Sequence, residues 1–317
     1  MAPIRIDSLA SDRTGPANNR RLIPIDIDLE EIHEWLVKIA EVAGDMMLKA
    51  TSQPTRLSEI KSNTSDQVTA TDRAIEDMVK AALKRHYPNF DFLGEETFKT
   101  GQKLSHRPTF VCDPIDGTLN FIHGFPGSAV SLALAIDKKA VVGVVFNPAR
   151  NELYSAIRGQ GATLRRGADR EIPLPVRGDA GPLQGLSGSL VGLEWGSQRA
   201  GANWDLRTRT ALKLMSAAEA GGRMCHSLRS SGSAALTCCY VAAGFLDLWW
   251  EGGCWVWDVC AAWIILEEAG GMMASANPGD WEPSLEGRTY LAVRGAPSGQ
   301  TELVEEMWGC VDGRFVF

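Results

Sequence analysis

One stretch, Val111-Cys112-Asp113-Pro114-Ile115-Asp116-Gly117-Thr118, joins a strand to the start of a helix. The apolar residues 110–112 predict a buried strand that ends at Asp113. Pro114 removes a backbone donor and stiffens the turn, so the carboxylates of Asp113 and Asp116 can converge across it. Gly117 permits a close backbone approach, and Thr118 is predicted to begin a helical turn with free N–H groups.

Two carboxylates beside free amides can serve two chemistries at once. A hard cation takes oxygen ligands, and a phosphate accepts hydrogen bonds from amides at a helix start. A solvated turn at the end of a strand would show the same short pattern. The stretch alone therefore leaves a cation site and a plain turn open.

Two further acidic segments favour the cation site. Gly94-Glu95-Glu96 follows an apolar run, and two adjacent glutamates there are costly to bury unless something binds them. Asp258 stands in the first turn of an apolar helix predicted over 256–269. A carboxylate at that position can cap the helix or bind a ligand, and the sequence leaves both roles open.

The combination resembles the inositol monophosphatase family, within the lithium-sensitive, metal-dependent phosphatase superfamily. The resemblance covers about residues 30–312. The residues that carry it are Gly94-Glu95-Glu96, the Asp113–Thr118 run, Trp257-Asp258-Val259-Cys260-Ala261, and Glu267 with Ala269-Gly270-Gly271.

The resemblance implies a Mg²⁺-dependent site. Glu95, Asp113 and the carbonyl of Ile115 are expected to bind a first Mg²⁺, and Asp113, Asp116 and Asp258 a second. Glu95 would also face a third, more hydrated ion. Residues 61–66 resemble a loop that closes over the metals.

The same resemblance indicates which residues would contact the attacking water and the substrate. Thr71 and Asp72 match the pair that orients the attacking water with Thr118, and amides near Gly117 and Thr118 would hold the phosphate. Substrate contacts are expected from the following positions: Ile115, Asp116, Gly117, Thr118, Gly232, Ser233, Ala234, Glu251 and Asp258.

The function implied is hydrolysis of inositol monophosphate or of a similar cyclic polyol phosphate by direct attack of water. Alternatives are a phosphatase for a bisphosphate nucleotide, a sugar phosphate, or a quinate- or shikimate-like phosphate, and a non-catalytic regulator of the same fold that binds a metal or metabolite. The sequence shows no Lys/Arg cluster near the Gly232 or Glu251 segments, which disfavours a second phosphate. Trp255 stands where family members often carry a histidine, and either packs in a core or dimer contact or lines the substrate mouth.

The rest of the chain alternates helices and strands, which predicts sheets sandwiched between helix layers, and the resemblance implies an αβαβα order. A tail is expected over 1–27, an N-terminal α+β subdomain with most metal ligands over 28–180, and a C-terminal α/β subdomain over 181–317. Helices are predicted over 29–51, 69–87, 205–220, 233–243, 256–269 and 301–310. Asp28 with Glu31, and Thr69 with Asp72, have the spacing of capping pairs at the first two helices. The apolar stripe of the first helix is predicted at Ile32, Trp35, Ile39, Val42 and Met46. Strands are predicted over 110–112, 128–136, 140–146, 153–157, 186–193, 223–227, 245–250 and 290–293, and residues 137–139 are predicted to join the second and third of these as a hairpin.

Composition excludes several classes of protein. The chain has 39 acidic and 32 basic residues, giving a net charge of −7, which argues against nucleic acid as a partner. No apolar run has the length of a membrane span, about 18 residues, and the N-terminus lacks the apolar segment of a signal peptide. The seven cysteines are odd in number, and we expect reduced thiols in a cytoplasmic protein. A homodimer that acts on a small phosphorylated metabolite is the expected assembly.

Overall fold

The computed structural model describes residues 27–51, 58–61, 67–168, 170–176 and 181–317. The expected tail lies outside the described residues up to residue 26, as do residues 62–66 of the expected metal loop. Residues 177–180, which precede the expected subdomain boundary, also lie outside, and that boundary stays a prediction.

Seven α-helices and fourteen strands make up the described chain. The helices are α1 (Leu29–Thr51), α2 (Ala70–His86), α3 (Thr118–His123), α4 (Ala202–Met215), α5 (Ala234–Ala242), α6 (Val256–Glu268) and α7 (Gln300–Trp308). The first nine strands are β1 (Ser58–Ile60), β2 (Gln67–Thr69), β3 (Asp91–Gly94), β4 (Thr109–Asp116), β5 (Ala129–Ile136), β6 (Lys139–Asn147), β7 (Glu152–Ile157), β8 (Ala162–Arg166) and β9 (Ile172–Pro173). The remaining strands are β10 (Leu190–Leu193), β11 (Ser227–Arg229), β12 (Leu248–Gly252), β13 (Met272–Ala274) and β14 (Thr289–Val293).

A seven-stranded sheet in the order β3-β4-β5-β6-β7-β8-β9 forms the first half of the molecule. Only the β3–β4 pair is parallel, and the others are antiparallel. Residues of α1 and α2 pack with one face of its central strands in one apolar cluster. Residues of α5 and α6 pack with the opposite face in another.

A five-stranded sheet in the order β11-β10-β12-β14-β13 forms the second half. Alternate residues of β12 separate its two faces: Trp249 packs in the cluster of α5 and α6, and Trp250 packs in the cluster of α4 and α7. Helices α5 and α6 therefore lie between the two sheets. The layer order is αβαβα, which confirms the expected fold class.

The first two helices begin as their caps predict. The Asp28 carboxylate accepts from the Glu31 backbone N–H at 3.0 Å, the capping-box spacing expected for α1. The Thr69 hydroxyl and the Asp72 carboxylate form a reciprocal capping box at the start of α2. The apolar stripe of α1 is rotated from the one that the sequence suggested, because Val42 is exposed and Leu36, Ala40 and Ala43 are buried.

Several boundaries in the second half were wrong. The strand expected over 186–193 begins only at Leu190, since 186–188 form a 3₁₀ turn. The helix expected over 205–220 is α4, which begins three residues earlier and ends at Met215. Strands β11 and β12 each lie a few residues later than predicted, and β13 was not predicted. In the first half of the chain, β1, β2, β3, β8 and β9 were not among the predicted strands.

The apolar core contains six of the seven cysteines and two tryptophans that the sequence left unassigned. All seven cysteines are free thiols, and Cys238 and Cys239 are fully buried in the core, as expected for reduced thiols. Trp249 and Trp250 are also fully buried. Among the described helices, none combines the length and hydropathy needed to cross a membrane.

The contact between β6 and α6 yields a stability prediction. A Cβ added at Gly143 would collide with the Ala261 carbonyl oxygen and lie 2.6 Å from a methyl carbon of Ile264. We expect Gly143→Ala to lower the free energy of unfolding by about 1–3 kcal/mol, because the helix must move off the sheet.

Thermal melting followed by circular dichroism measures this loss. Gly188→Ala is the matched control, because its Cβ would meet only the Gln184 Cβ at 3.6 Å, an ordinary contact. Equal melting temperatures for Gly143→Ala and the wild type would show that the sheet and helix layers are not in this close contact.

Candidate active site

The centre of the site is a cluster of three aspartates from two layers. Asp113 and Asp116 lie at the end of β4, where the pairing with β5 shifts register between them. Asp258 lies in the first turn of α6. One carboxylate oxygen from each residue lies within 4.8 Å of the others, so the convergence predicted for Asp113 and Asp116 is confirmed.

Backbone amides hold each carboxylate in place. Asp113 accepts from the Ile115 N–H at 3.0 Å, and Asp258 accepts from the Trp255 N–H at 2.6 Å. Asp116 accepts from the Ala235 N–H at 2.8 Å, at the start of α5. Asp258 thus caps α6 and also belongs to the cluster, so the two roles left open by the sequence are not exclusive.

Ser233 completes the surroundings of Asp116. Its hydroxyl donates to the Asp116 carboxylate and also accepts from the Leu236 N–H at 3.2 Å as the N-cap of α5. The predicted substrate segment 232–234 is therefore tied directly to one of the predicted metal ligands.

The electrostatics of the cluster favour a bound cation. Burial, together with the charges of neighbouring carboxylates, raises the pKa of Asp113 and of Asp258 well above the ordinary value. Burial raises the pKa of Asp116 to about 6, although hydrogen bonds from Ser233 and the α5 amides lower it. Three carboxylate oxygens are ligands that Mg²⁺ prefers, so the donor set fits that ion.

Glu95 and Glu96 lie beside the cluster and contact a cationic side chain. The Lys61 ammonium lies 2.7 Å from Glu95 Oε1 and 2.8 Å from Glu96 Oε1. Burial raises the pKa of Glu95 to about 7 despite this contact. Glu95 is outside the three-aspartate group, yet its charge is close enough to raise the pKa of Asp113.

Glu76 supports this glutamate turn and was missed by the sequence analysis. Its side chain is almost fully buried, and Oε2 accepts from the Glu96 N–H at 2.7 Å. A Cβ at Gly94 would lie 2.5 Å from the Glu76 carboxyl carbon, so only glycine fits there. Glu76 is one turn after Asp72 on the buried face of α2, which is the signal that could have identified it.

Thr118 and Asp72 meet as predicted. The Thr118 hydroxyl lies 3.4 Å from Asp72 Oδ1 and 3.1 Å from the Ile115 carbonyl oxygen, so it can donate to either acceptor. Thr71, the other member of the predicted pair, supplies its backbone N–H to the Thr69 hydroxyl at 3.1 Å. Gly117 precedes α3 with a φ of +86°, and a Cβ there would lie 2.9 Å from the Gly232 carbonyl oxygen.

Two adjoining cavities open at these residues. The larger, of 470 Å³, is lined by Glu95, Gly117, Thr118 and Gly232 among others. The smaller, of 350 Å³, brings together most of the predicted substrate contacts, namely Asp116, Gly232, Ser233, Ala234, Glu251 and Asp258. Asp72, Asp113 and Ile115 are buried and line neither cavity.

Glu194 is a residue of the smaller cavity that the sequence analysis missed. Its carboxylate accepts from the Ser231 N–H at 2.7 Å, the Gly232 N–H at 3.1 Å and the Ser230 hydroxyl at 2.8 Å. It therefore fixes the loop that presents Gly232. An acidic residue directly after an apolar strand, as at Glu95, is the pattern that could have revealed it.

The expectation that no basic cluster lies near Glu251 was wrong. The smaller cavity is lined by Arg199, Arg207 and Arg288. They come from the loop before α4, from α4 and from the turn before β14, so only the folded chain brings them together. Trp255 lines neither cavity, and its ring lies 3.6 Å from the Arg288 guanidinium.

Comparison with known proteins identifies the family. The model of the inositol monophosphatase family matches residues 28–311. The chain belongs to the inositol monophosphatase family. With the acidic cluster, membership makes it an inositol monophosphatase-like phosphoric monoester hydrolase of small phosphorylated molecules, and it confirms the resemblance drawn from the motifs.

Individual relatives cover nearly the whole chain. Inositol monophosphatase 2 of Saccharomyces cerevisiae is 44% identical over 91% of this chain and 98% of its own. The quinic acid degradation cluster protein x of Neurospora crassa is 36% identical over 89% of this chain and 94% of its own. The crystal structure of the extragenic suppressor protein SuhB of Bartonella henselae superposes with a TM-score of 0.73 at 26% identity, covering 90% of this chain and all of that one.

The crowding of carboxylates yields a prediction for Asp113→Asn. An ionised Asp113 destabilises the cation-free fold at neutral pH, because its pKa is raised above that of the unfolded chain. Asparagine removes this charge and can still accept from the Ile115 N–H. We therefore expect Asp113→Asn to melt at a higher temperature than the wild type in chelator, and to gain less stability from added Mg²⁺.

Thermal melts in chelator and in millimolar Mg²⁺ measure both effects. The control is Asp45→Asn, an exposed position on α1 that is not part of the cluster, which should behave as the wild type does. Equal Mg²⁺-dependent shifts in the wild type and Asp113→Asn would show that Asp113 binds no cation.

Proposed function

We propose that the protein is a Mg²⁺-dependent phosphatase of inositol monophosphate or a similar cyclic polyol phosphate. One observation carries the proposal: two members of the buried aspartate cluster, Asp116 and Asp258, line the same cavity as Glu251 and the Gly232–Ala234 segment. A phosphate at the cluster and a hydroxylated ring in the cavity would then occupy adjacent positions.

The ligands of the cations follow from this placement. Asp113, Asp116 and Asp258 would hold Mg²⁺, together with the Ile115 carbonyl and the Glu95 carboxylate. When bound, Mg²⁺ ions lower the pKa of a coordinated water and stabilise the leaving alkoxide. Lys61 would hold Glu95 and Glu96 in position through its two ion pairs.

The protein's own groups would orient the water and the phosphate. The Thr118 hydroxyl, held between Asp72 and the Ile115 carbonyl, is placed to hydrogen-bond an attacking water. Amides near Gly117 and Thr118 would bind the phosphate, since residues at a helix start have free N–H groups. Attack by this water on the phosphate would be direct, with no covalent intermediate.

Glu251 and the start of α5 would recognise the polyol. Glu251 is buried, accepts from the Trp249 indole N–H at 3.1 Å, and faces the smaller cavity. Its carboxyl group can accept hydrogen bonds from ring hydroxyls. The Gly232–Ala234 backbone lines the same cavity and would contact further hydroxyls.

The alternatives differ in their support. The similarity to the Neurospora crassa protein named for quinic acid degradation keeps a quinate- or shikimate-like phosphate as a second candidate substrate. A non-catalytic regulator need not retain Glu95, Asp113, Asp116, Thr118 and Asp258 together. Lithium inhibition, a homodimer and a cytoplasmic location stay predictions from the family resemblance.

Phosphate release tests the proposed function. Purified protein should hydrolyse inositol 1-phosphate and p-nitrophenyl phosphate in Mg²⁺, lose activity in excess chelator and regain it when Mg²⁺ is restored. Asp113→Asn should lower turnover of both esters by about 100-fold or more, because it removes a charge assigned to two cations.

Asp45→Asn is again the control, and its turnover should match that of the wild type. Full activity of the wild type in excess chelator would overturn the metal-dependent mechanism. A folded protein that releases phosphate from neither ester would support the regulator instead.

A further inference from the structure

Arg207 is a buried cation in the wall of the smaller cavity. It lies on α4 with only 3% of its surface exposed, and it lines the cavity together with Glu251, Asp116 and Asp258. A buried guanidinium is costly unless it is paired and hydrogen-bonded. The partners of Arg207 therefore decide whether the protein itself satisfies this charge.

The described residues leave Arg207 without an ion pair. Its Nη2 donates to the Gly252 carbonyl at 2.9 Å, and its guanidinium lies 5.2 Å from the centre of the Phe315 ring. Its Nε has no hydrogen-bond partner. No carboxylate in the described part of the chain lies within 4.0 Å of it.

Two other arginines of the cavity share this pattern. Arg288 donates from Nε and Nη2 to the carbonyls of Gly253 and Cys254, and it stacks on Trp255. Arg199 is exposed at the rim and donates to the Trp195 carbonyl at 3.0 Å. Elsewhere in the described chain, the exposed side chains of Arg150 and Arg314 also donate only to carbonyls, so the burial of Arg207 is what sets it apart. Six other arginines pair with carboxylates: Arg73, Arg107, Arg158, Arg165, Arg166 and Arg294.

The acidic residues of the cavity do not supply the missing partner. The Glu194 oxygens are taken up by donors from residues 230–232 and from the Thr237 hydroxyl. Glu251 accepts a hydrogen bond from the Trp249 indole N–H, and it lies more than 4.0 Å from the Arg207 guanidinium nitrogens. The Arg207 side of the cavity is thus suited to an anion.

We propose that Arg207, with Arg199 and Arg288, binds a second anionic group of the substrate, a carboxylate or a second phosphate, while the ester phosphate lies at the aspartate cluster. Both ends belong to one cavity of 350 Å³, so one small molecule can reach both. The inference rests on the proposed function. Within the proposed class of cyclic polyol phosphates, it favours substrates that carry an additional acidic group.

Steady-state kinetics on three substrates test this inference. Inositol 1-phosphate has a neutral ring, shikimate 3-phosphate adds a carboxylate, and inositol 1,4-bisphosphate adds a second phosphate. The wild type should prefer at least one acidic substrate by about 10-fold or more in kcat/KM. Arg207→Gln should lower kcat/KM for that substrate by about 10- to 150-fold, the range of one lost charge-assisted hydrogen bond, and by less than about 3-fold for the neutral one.

Arg209→Gln is the matched control. It is the same change on the same helix, but Arg209 is exposed and lies outside the cavity wall, so all three substrates should keep their wild-type kinetics. The acidic substrate that Arg207→Gln impairs more shows whether the group bound is a carboxylate or a phosphate.

The possible failures are distinguishable. If the wild type hydrolyses none of the three substrates nor p-nitrophenyl phosphate in Mg²⁺, the proposed function itself fails. If it hydrolyses them and Arg207→Gln affects neutral and acidic substrates alike, only the anion site is overturned. Should Arg207→Gln not fold, the wild-type preference decides, and a preference below about 3-fold for both acidic substrates overturns the site.

Discussion

Mutual repulsion among the buried carboxylates of Asp113, Asp116 and Asp258 is the constraint around which the site is built. Their oxygens lie within 4.8 Å of one another, where like charges raise each other's pKa. The protein reduces this cost with a backbone amide on each carboxylate. A bound cation would offset the remainder, which is consistent with a metal site at the cluster.

The layered architecture places these amide donors at the aspartate cluster. Two of them belong to the starts of α5 and α6, and the third to the turn that ends β4. Because α5 and α6 lie between the sheets, their N-termini can face the end of β4 from the second half of the chain. The same arrangement brings β12 and α4 to the cavity, which is how Glu251 and Arg207 come to lie near the aspartates.

Local chemistry made much of this predictable from the sequence. The capping residues Asp28, Thr69 and Asp72 mark the starts of α1 and α2. The strand-to-helix turn of residues 113–118 predicts that its two carboxylates converge. The hairpin expected between β5 and β6 also forms, with positive φ angles at Asp137 and Lys138.

What could not be predicted depends on long-range contacts. Strand β8 ends in two arginines and β9 has only two residues, so neither shows an apolar alternation. The smaller cavity gains its three arginines, Arg199, Arg207 and Arg288, only when α4 packs on the second sheet. No local sequence pattern predicts this packing. Glu76 and Glu194 also act through tertiary contacts with the loops that they hold.

Anomalous diffraction from crystals grown with Mn²⁺ in place of Mg²⁺ would test the central claim most directly. Mn²⁺ prefers the same carboxylate and carbonyl oxygens as Mg²⁺ and scatters anomalously. We expect one anomalous peak within coordination distance of Asp113, Asp116 and Asp258. We expect a second peak within coordination distance of both Asp113 and Glu95. Well-ordered aspartates with no peak beside them, in crystals that bind Mn²⁺ elsewhere, would contradict the claim that a cation offsets their repulsion.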